Sequence, residues 1–284
     1  MPAMPLEAQA PSSSMVGVDG RVVVYVLRGS QYCAKVLAAL DFHNVTHTVV
    51  FVSALPGKRG KQMPSRQTGA LVPEATISGE VIQDSDVILR RVDEVLLQKP
   101  SLFPNQESTD LNERVSNGVL AGAVIYYNWV HWQTHEKTIR NVFDRALPAA
   151  LCCLRGLIIT AATKDARVRY RVKAAKQLAV SNDALDDEPA VRRVLDAELR
   201  YLSGTLSDGD NKYLLGASEP AAADFTAYAM IERLCGDVGD AKFPCALPGL
   251  LDDDNQFAAL RAWHLQMRAK APIKFNGKRL VERK

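Results

Sequence analysis

The 284-residue chain is long enough for two domains, and its 47% hydrophobic and 24% charged residues are ordinary for a globular protein. A net charge of +3 excludes the strongly basic footprint of a nucleic-acid-binding protein. Five cysteines with no C-x-x-C and no paired spacing exclude a disulfide framework or zinc site and fit a reducing compartment.

Residues 1–19 are rich in Pro, Ala and Ser. They lack both the apolar run of a secretory signal and the arginines of a transit peptide, so a disordered tail and a cytoplasmic location are expected. Residues 21–27, RVVVYVL, form an apolar β-branched run suited to a buried strand. Arg28-Gly29-Ser30 breaks it. From residue 31 to 42, Cys33, Val36, Leu37 and Leu40 recur with helical spacing, and Ser30 is placed as N-cap. Residues 47–52 make a second strand, which completes a βαβ unit with parallel strands. A loop over 53–69 carries Lys58, Arg59, Lys61 and Arg66 without an acid.

Val72-Pro73 starts a third strand, since proline lacks a ladder donor and belongs at a strand's beginning. Ser78-Gly79 turns the chain, Val81 and Ile82 pair back, and Asp84 or Ser85 caps a helix with Val87, Ile88, Val92 and Val95 on one face. Such a helix start is also an anion site. Residues 99–108 read as a linker with prolines framing an apolar anchor. Beyond it the chain is helical: helices are expected over 111–140, 142–161, 164–179 and 188–206, a turn at 208–211, a buried helix within 213–234 and a last helix over 257–269. A basic tail, 271–284, follows. The apolar segment 146–162 is interrupted by Pro148, Arg155 and Gly156, so a buried helix is expected rather than a membrane span.

The pattern from Val72-Pro73 to Asp84-Ser85 resembles the glutathione-binding half of the glutathione transferase superfamily. So does Ser30-Gln31-Tyr32-Cys33-Ala34-Lys35-Val36, which is similar to a Ser-Pro-(Phe/Tyr)-x-x-Lys-Val signature with Gln31 in place of proline. Gly216, Pro220, Ala223, Asp224 and Ala227 resemble the superfamily's second-domain motif, with Ala221 where a Ser or Thr N-cap is usual. Loss of that cap predicts a less sharply fixed helix start. The resemblance implies a thioredoxin-like α/β domain over 20–98 and an all-α domain over 109–270.

It further implies glutathione as substrate, a hydrophobic electrophile as its partner, a homodimer, a role in detoxification, and no metal. Ser30 would stabilise the thiolate, unless it is only an N-cap. Tyr25 and Cys33 are the alternatives, although Tyr25 sits one residue out of step and Cys33 lies one turn inside the helix. Val72 and Pro73 would pair with the cysteinyl unit, Asp84 and Ser85 would hold the γ-glutamyl end, and Lys58 and Arg59 the glycyl end. Tyr126, Tyr127, Trp129 and Trp132 cluster as a wall for the second substrate, or as bundle core. His131 and His135 lack the glutamate and third ligand of a metal site, and Cys152-Cys153 reads as packing. Two other functions are open: a non-catalytic docking module on the same fold, and a thiol oxidoreductase using Cys33.

Overall fold

The computed structural model describes residues 22–53, 59–66, 73–95, 97, 101–131, 155–206, 213–235, 237–238, 241–242, 247–273, 275 and 280–283. The first domain runs β1 (Val22–Val26), α1 (Gln31–Phe42), β2 (His47–Phe51), β3 (Glu74–Ile77), β4 (Glu80–Gln83) and α2 (Ser85–Val95). Alternation along β1 sends Val22, Val24 and Val26 into the core with no exposure. β1 pairs parallel with β2 and antiparallel with β3, and β3 pairs antiparallel with β4. The β3–β4 turn uses Ser78 and Gly79 at φ of 51° and 85°, the double left-handed geometry that matches strand twist in a two-residue hairpin. This is the expected thioredoxin-like arrangement. β3 begins one residue later than Pro73, and Val72 lies outside the described residues.

The sheet acquires a strand that the sequence reading assigned to a basic tail. β7 (Leu280–Arg283) pairs antiparallel with β2, giving the order β4-β3-β1-β2-β7. The β2 edge offers the backbone donors and acceptors that this strand takes up.

The second domain comprises α3 (Gln106–Asn117), α4 (Val119–Ile125), a π-helical turn (Tyr126–Val130), α5 (Arg155–Leu178), α6 (Glu188–Thr205), α7 (Ala222–Cys235) and α8 (Asp254–Lys270), with a short β5–β6 hairpin (Asp237–Val238, Ala241–Lys242) between the last two. Asn105 caps α3 by accepting the Ser108 N–H at 2.8 Å. The single helix expected over 111–140 is broken at Gly118, where ψ is −147°. A Cβ there would stand 2.4 Å from the Arg114 carbonyl oxygen, so the break requires glycine, a demand that hydrophobic periodicity does not register. The expected division between helices ending at 161 and beginning at 164 is also absent, because α5 is continuous. Residues 142–154 and the 208–211 turn lie outside the described residues. Among the described residues, no helix is long and apolar enough to cross a membrane.

α7 is the shared core element. Its residues from Ala222 to Leu234 are all buried, and it packs on α1 of the first domain and on α3 and α4 of the second. Alanine at 222, 223, 227 and 229 allows that close approach. Its start is firmly held despite Ala221. Asp224 reaches back to accept the Ala221 N–H at 3.0 Å, and also accepts from the Leu214 N–H at 2.9 Å and the Trp263 indole at 2.9 Å. The carboxylate at the third helical position thus makes the reciprocal half of a capping box, accepting the cap residue's own N–H, and this with its two other bonds fixes the start where a loose one was expected.

Candidate functional site

Strand register brings the candidate residues to one end of the sheet. Tyr25 lies opposite Glu74, and Glu74 opposite Gln83. The end of β1, the beginning of β3 and the end of β4 are therefore neighbours, and both α1 and α2 start there. Ser30, Pro73, Asp84 and Ser85 share this edge, although 54 residues separate Ser30 from Asp84 in the chain.

Ser30 has extended backbone (φ −77°, ψ 120°) and its Oγ accepts the Cys33 N–H at 3.4 Å, a long bond that holds the hydroxyl weakly. The side chain is partly exposed, at the positive end of α1. Cys33 is 1% exposed, and burial pushes its thiol up to about 11, with hydrogen bonds from Ser30 and the Leu27 backbone opposing only part of that rise. A thiol so held is protonated at neutral pH and closed to solvent.

Asp84 adopts φ of 77°, a left-handed conformation that costs a non-glycine residue about 1 kcal/mol. Its own Oδ1 offsets this by accepting the Asp86 N–H at 2.8 Å and the Val87 N–H at 3.4 Å, and its N–H donates to the Pro73 carbonyl at 3.2 Å. Asp84 is therefore exposed yet fixed, while Ser85 beside it is buried at 3%. Pro73 is buried; Val72, whose backbone the resemblance assigns to the cysteinyl unit, lies outside the described residues.

Below this edge lies a polar network that the sequence did not announce. The Lys35 ammonium, fully buried on α1, donates to Asp86 at 2.8 Å and to Ser116 at 3.3 Å. Asp86 also accepts from the Asn112 amide at 2.7 Å, and the Asn112 oxygen accepts from Thr226 at 2.7 Å. Burial lowers the Lys35 pKa, and the Asp86 carboxylate opposes that fall. Four elements, α1, α2, α3 and α7, meet through Asp86, so the first turn of α2 is positioned by both domains.

Tyr25 does not reach the α1 start. It alternates with Val24 and Val26, which bury on the helix side, and so occupies the opposite face of β1 beside Glu74 and Thr76. Burial raises its phenol pKa, against a hydrogen bond with Thr76. On that face the fully buried Glu74 accepts the Ser65 N–H at 3.1 Å and the Gln83 amide at 3.1 Å, tying residues 59–66 to the sheet. Arg59 is 2% exposed, and Lys58 lies outside the described residues.

The aromatic cluster divides. Tyr126 and Tyr127 are each 1% exposed; their rings meet edge-to-face, and the Tyr127 hydroxyl donates to Glu188 at 2.5 Å. Burial, then the Glu188 charge, pushes the Tyr126 phenol up to about 12. Both are packed into the bundle, and Tyr126 lines a cavity of about 90 Å³ with His131, Arg167, Arg171 and Asp186. Trp129 is partly exposed and stacks on Tyr170 of α5 at 5.0 Å and 28°. Tyr170 and the carboxylates of Asp84 and Asp86 all lie within electrostatic range of the Tyr32 phenol on the first turn of α1. The Trp129–Tyr170 stack thus lies on the side of the bundle that faces the first turn of α1. Tyr170 sits in a run of basic residues, with no signal in the sequence to mark it, and Trp132 lies outside the described residues. Among the described residues, no group of three or more His, Cys, Asp and Glu is arranged to hold a metal, and His135, Cys152 and Cys153 lie outside them.

Residues 24–96 match the family model described as glutathione S-transferase, N-terminal domain. Comparison with curated proteins finds no match. Among solved structures, the chain is similar to the beta-etherase LigF from Sphingobium sp. strain SYK-6, with 18% identity, 87% of this chain and 95% of that one covered, and a TM-score of 0.52. FzlA from C. crescentus is similar at 17% identity, with 88% of each chain covered and a TM-score of 0.51. Glutaredoxin 2 from Salmonella typhimurium, in complex with glutathione, is similar at 15% identity, with 90% and 97% covered and a TM-score of 0.50. At these identities the likeness is one of fold, and it extends across both domains.

Proposed function

We propose that this chain, a member of the glutathione S-transferase superfamily, joins the sulfur of glutathione to a hydrophobic electrophile. The observation that carries the reading is the convergence of Ser30 and Asp84-Ser85, at two helix starts, on one sheet end beside Pro73. The γ-glutamyl ammonium pairs with the exposed Asp84 carboxylate, and its carboxylate meets the N–H groups at the start of α2 near Ser85. Val72 and Pro73 offer their backbone to the cysteinyl unit, and Lys58 serves the glycyl carboxylate, the buried Arg59 being left out of the contact.

The sulfur then lies at the first turn of α1. A free thiol titrates near 8.5, so a neutral-pH reaction needs stabilisation of the thiolate. The helix end and the Ser30 hydroxyl supply it, with the weak Cys33 N–H contact leaving the hydroxyl able to turn and donate to sulfur. The thiolate attacks the electrophile, the carbon–sulfur bond forms, and the displaced group leaves with its electron pair. Trp129 and Tyr170 give the apolar wall, while Tyr126 and Tyr127 support it from the core. A homodimer would use the exposed Val81, Val87 and Val95, and such conjugation suits a cytoplasmic detoxification role.

The test is retention on immobilised glutathione together with conjugation of a chlorodinitroaryl electrophile. Ser30→Ala should keep the retention and lose about 100-fold in conjugation rate, the scale of one lost donor to a developing or resting anion. Cys33→Ala should leave conjugation unchanged, because its thiol is buried and burial pushes it up to about 11, so it is neither open to substrate nor ionised. Activity lost in Cys33→Ala and kept in Ser30→Ala would move the reaction to thiol exchange; failure to bind glutathione at all would leave the docking module.

A further inference from the structure

Residues 164–176, on α5, carry six basic side chains, Lys164, Arg167, Arg169, Arg171, Lys173 and Lys176, against one acid, Asp165, in a chain whose whole net charge is +3. Arg171 is committed to Asp186 through two bonds of 2.9 and 2.7 Å. Lys164, Arg167, Arg169, Lys173 and Lys176 are exposed. In their midst Val168 and Val172, one turn apart, stand 63% and 61% exposed. At about 100° per residue, Lys164 falls on one flank of this valine pair, and Arg169, Lys173 and Lys176 on the other, while Arg167 turns further round to the cavity it lines with Arg171 and Asp186. Ala174 buries on the far side of the helix, and Ala175 and Leu178 bury along the Lys164 flank.

We propose that this face of α5 rests on an anionic membrane surface. The valines enter the boundary between headgroups and acyl chains, and the lysines and arginines, their stems lying along the apolar layer, reach lipid phosphates and carboxylates on both sides. An apolar centre with cationic flanks matches a flat, negatively charged, partly apolar partner in both charge and shape. Tyr170, the only aromatic side chain in the stretch, is stacked on Trp129 and so is not offered to nucleic-acid bases. The helix lies on the bilayer and does not enter it, since the same charges forbid a span.

The full chain is sedimented with vesicles of phosphatidylcholine alone, and of two parts phosphatidylcholine to one of phosphatidylserine. At about 0.1 M salt the anionic vesicles should carry down at least about tenfold more protein, and about 0.5 M salt should release it, as screening of surface charge requires. K164E/K173E/K176E should abolish the binding. V168S/V172S should weaken it several-fold while leaving retention on soluble polyglutamate unchanged; all these positions are exposed, so the fold is retained and circular dichroism checks it. Equal binding to the two vesicle types, no binding to either, or anionic binding that survives the lysine reversals overturns the proposal. Binding indifferent to the valine pair also overturns it and assigns the face to an acidic protein.

Discussion

α1 and α7 pack against each other, yet they begin in opposite ways. The start of α7 is closed: Asp224, with no exposure, accepts three hydrogen bonds from a loop N–H, the cap N–H and an indole of another helix. The start of α1 is held by one side-chain bond of 3.4 Å from a partly exposed serine. A helix start whose donors and dipole are answered inside the protein fixes a domain. One that is answered weakly, at the surface, has its partial positive charge to offer a bound anion. The start of α2 is intermediate, with Asp84 capping from the surface and Asp86 anchored beneath.

Removing the anchor should have the largest effect. Asp224→Ala leaves three buried donors unsatisfied and should lower stability by about 4 kcal/mol, read from urea unfolding. An effect no larger than that of an ordinary cap would erase the distinction between the two helix starts.

Next comes its pH dependence. Burial pushes the Asp224 carboxyl from 3.8 up to about 6, its hydrogen bonds opposing the rise. The folded state therefore binds this proton more tightly than the unfolded chain. The resulting stabilisation is complete below about pH 4 and lost as pH rises through about 6, a change of about 3 kcal/mol at most. Subtracting the pH profile of Asp224→Asn from that of the parent should isolate this descending limb, and matching profiles would refute it.

Lys35→Met should cost about 2 kcal/mol, less than a fully enclosed pair because the Asp86 side chain is 30% exposed. It should also raise the dissociation constant for glutathione, since the first turn of α2 loses its main tie to α1; calorimetric titration with glutathione reads this directly. Ser30→Ala should have the smallest effect on folding, about 1 kcal/mol for a lost N-cap, although its effect on conjugation is the large one. A stability loss comparable to that of Asp224→Ala would make Ser30 an anchor like the other.

Much of the first domain was legible because its signals are local. A valine run, a serine before a helical repeat, Ser78-Gly79 between two strands and Asp84 before another repeat each specify an element within a few residues, and the elements in order specify the sheet. The second domain was legible less evenly. Gly118 interrupts a helix that apolar spacing would continue, and the strand at 280–283 exists only because the β2 edge is there to receive it.

The sequence by itself determined which residues could begin helices and strands, because caps and turns depend on neighbours along the chain, and its resemblance to a known family is what implied one site for Ser30, Pro73, Asp84 and Ser85. Only the tertiary structure decided that Tyr126 and Tyr127 are core while Trp129 stacks on Tyr170, and that Lys35, Asp86, Asn112 and Thr226 form one network. Burial, strand face and long-range hydrogen bonds arise between segments far apart in the chain, and no local pattern encodes which of them will meet.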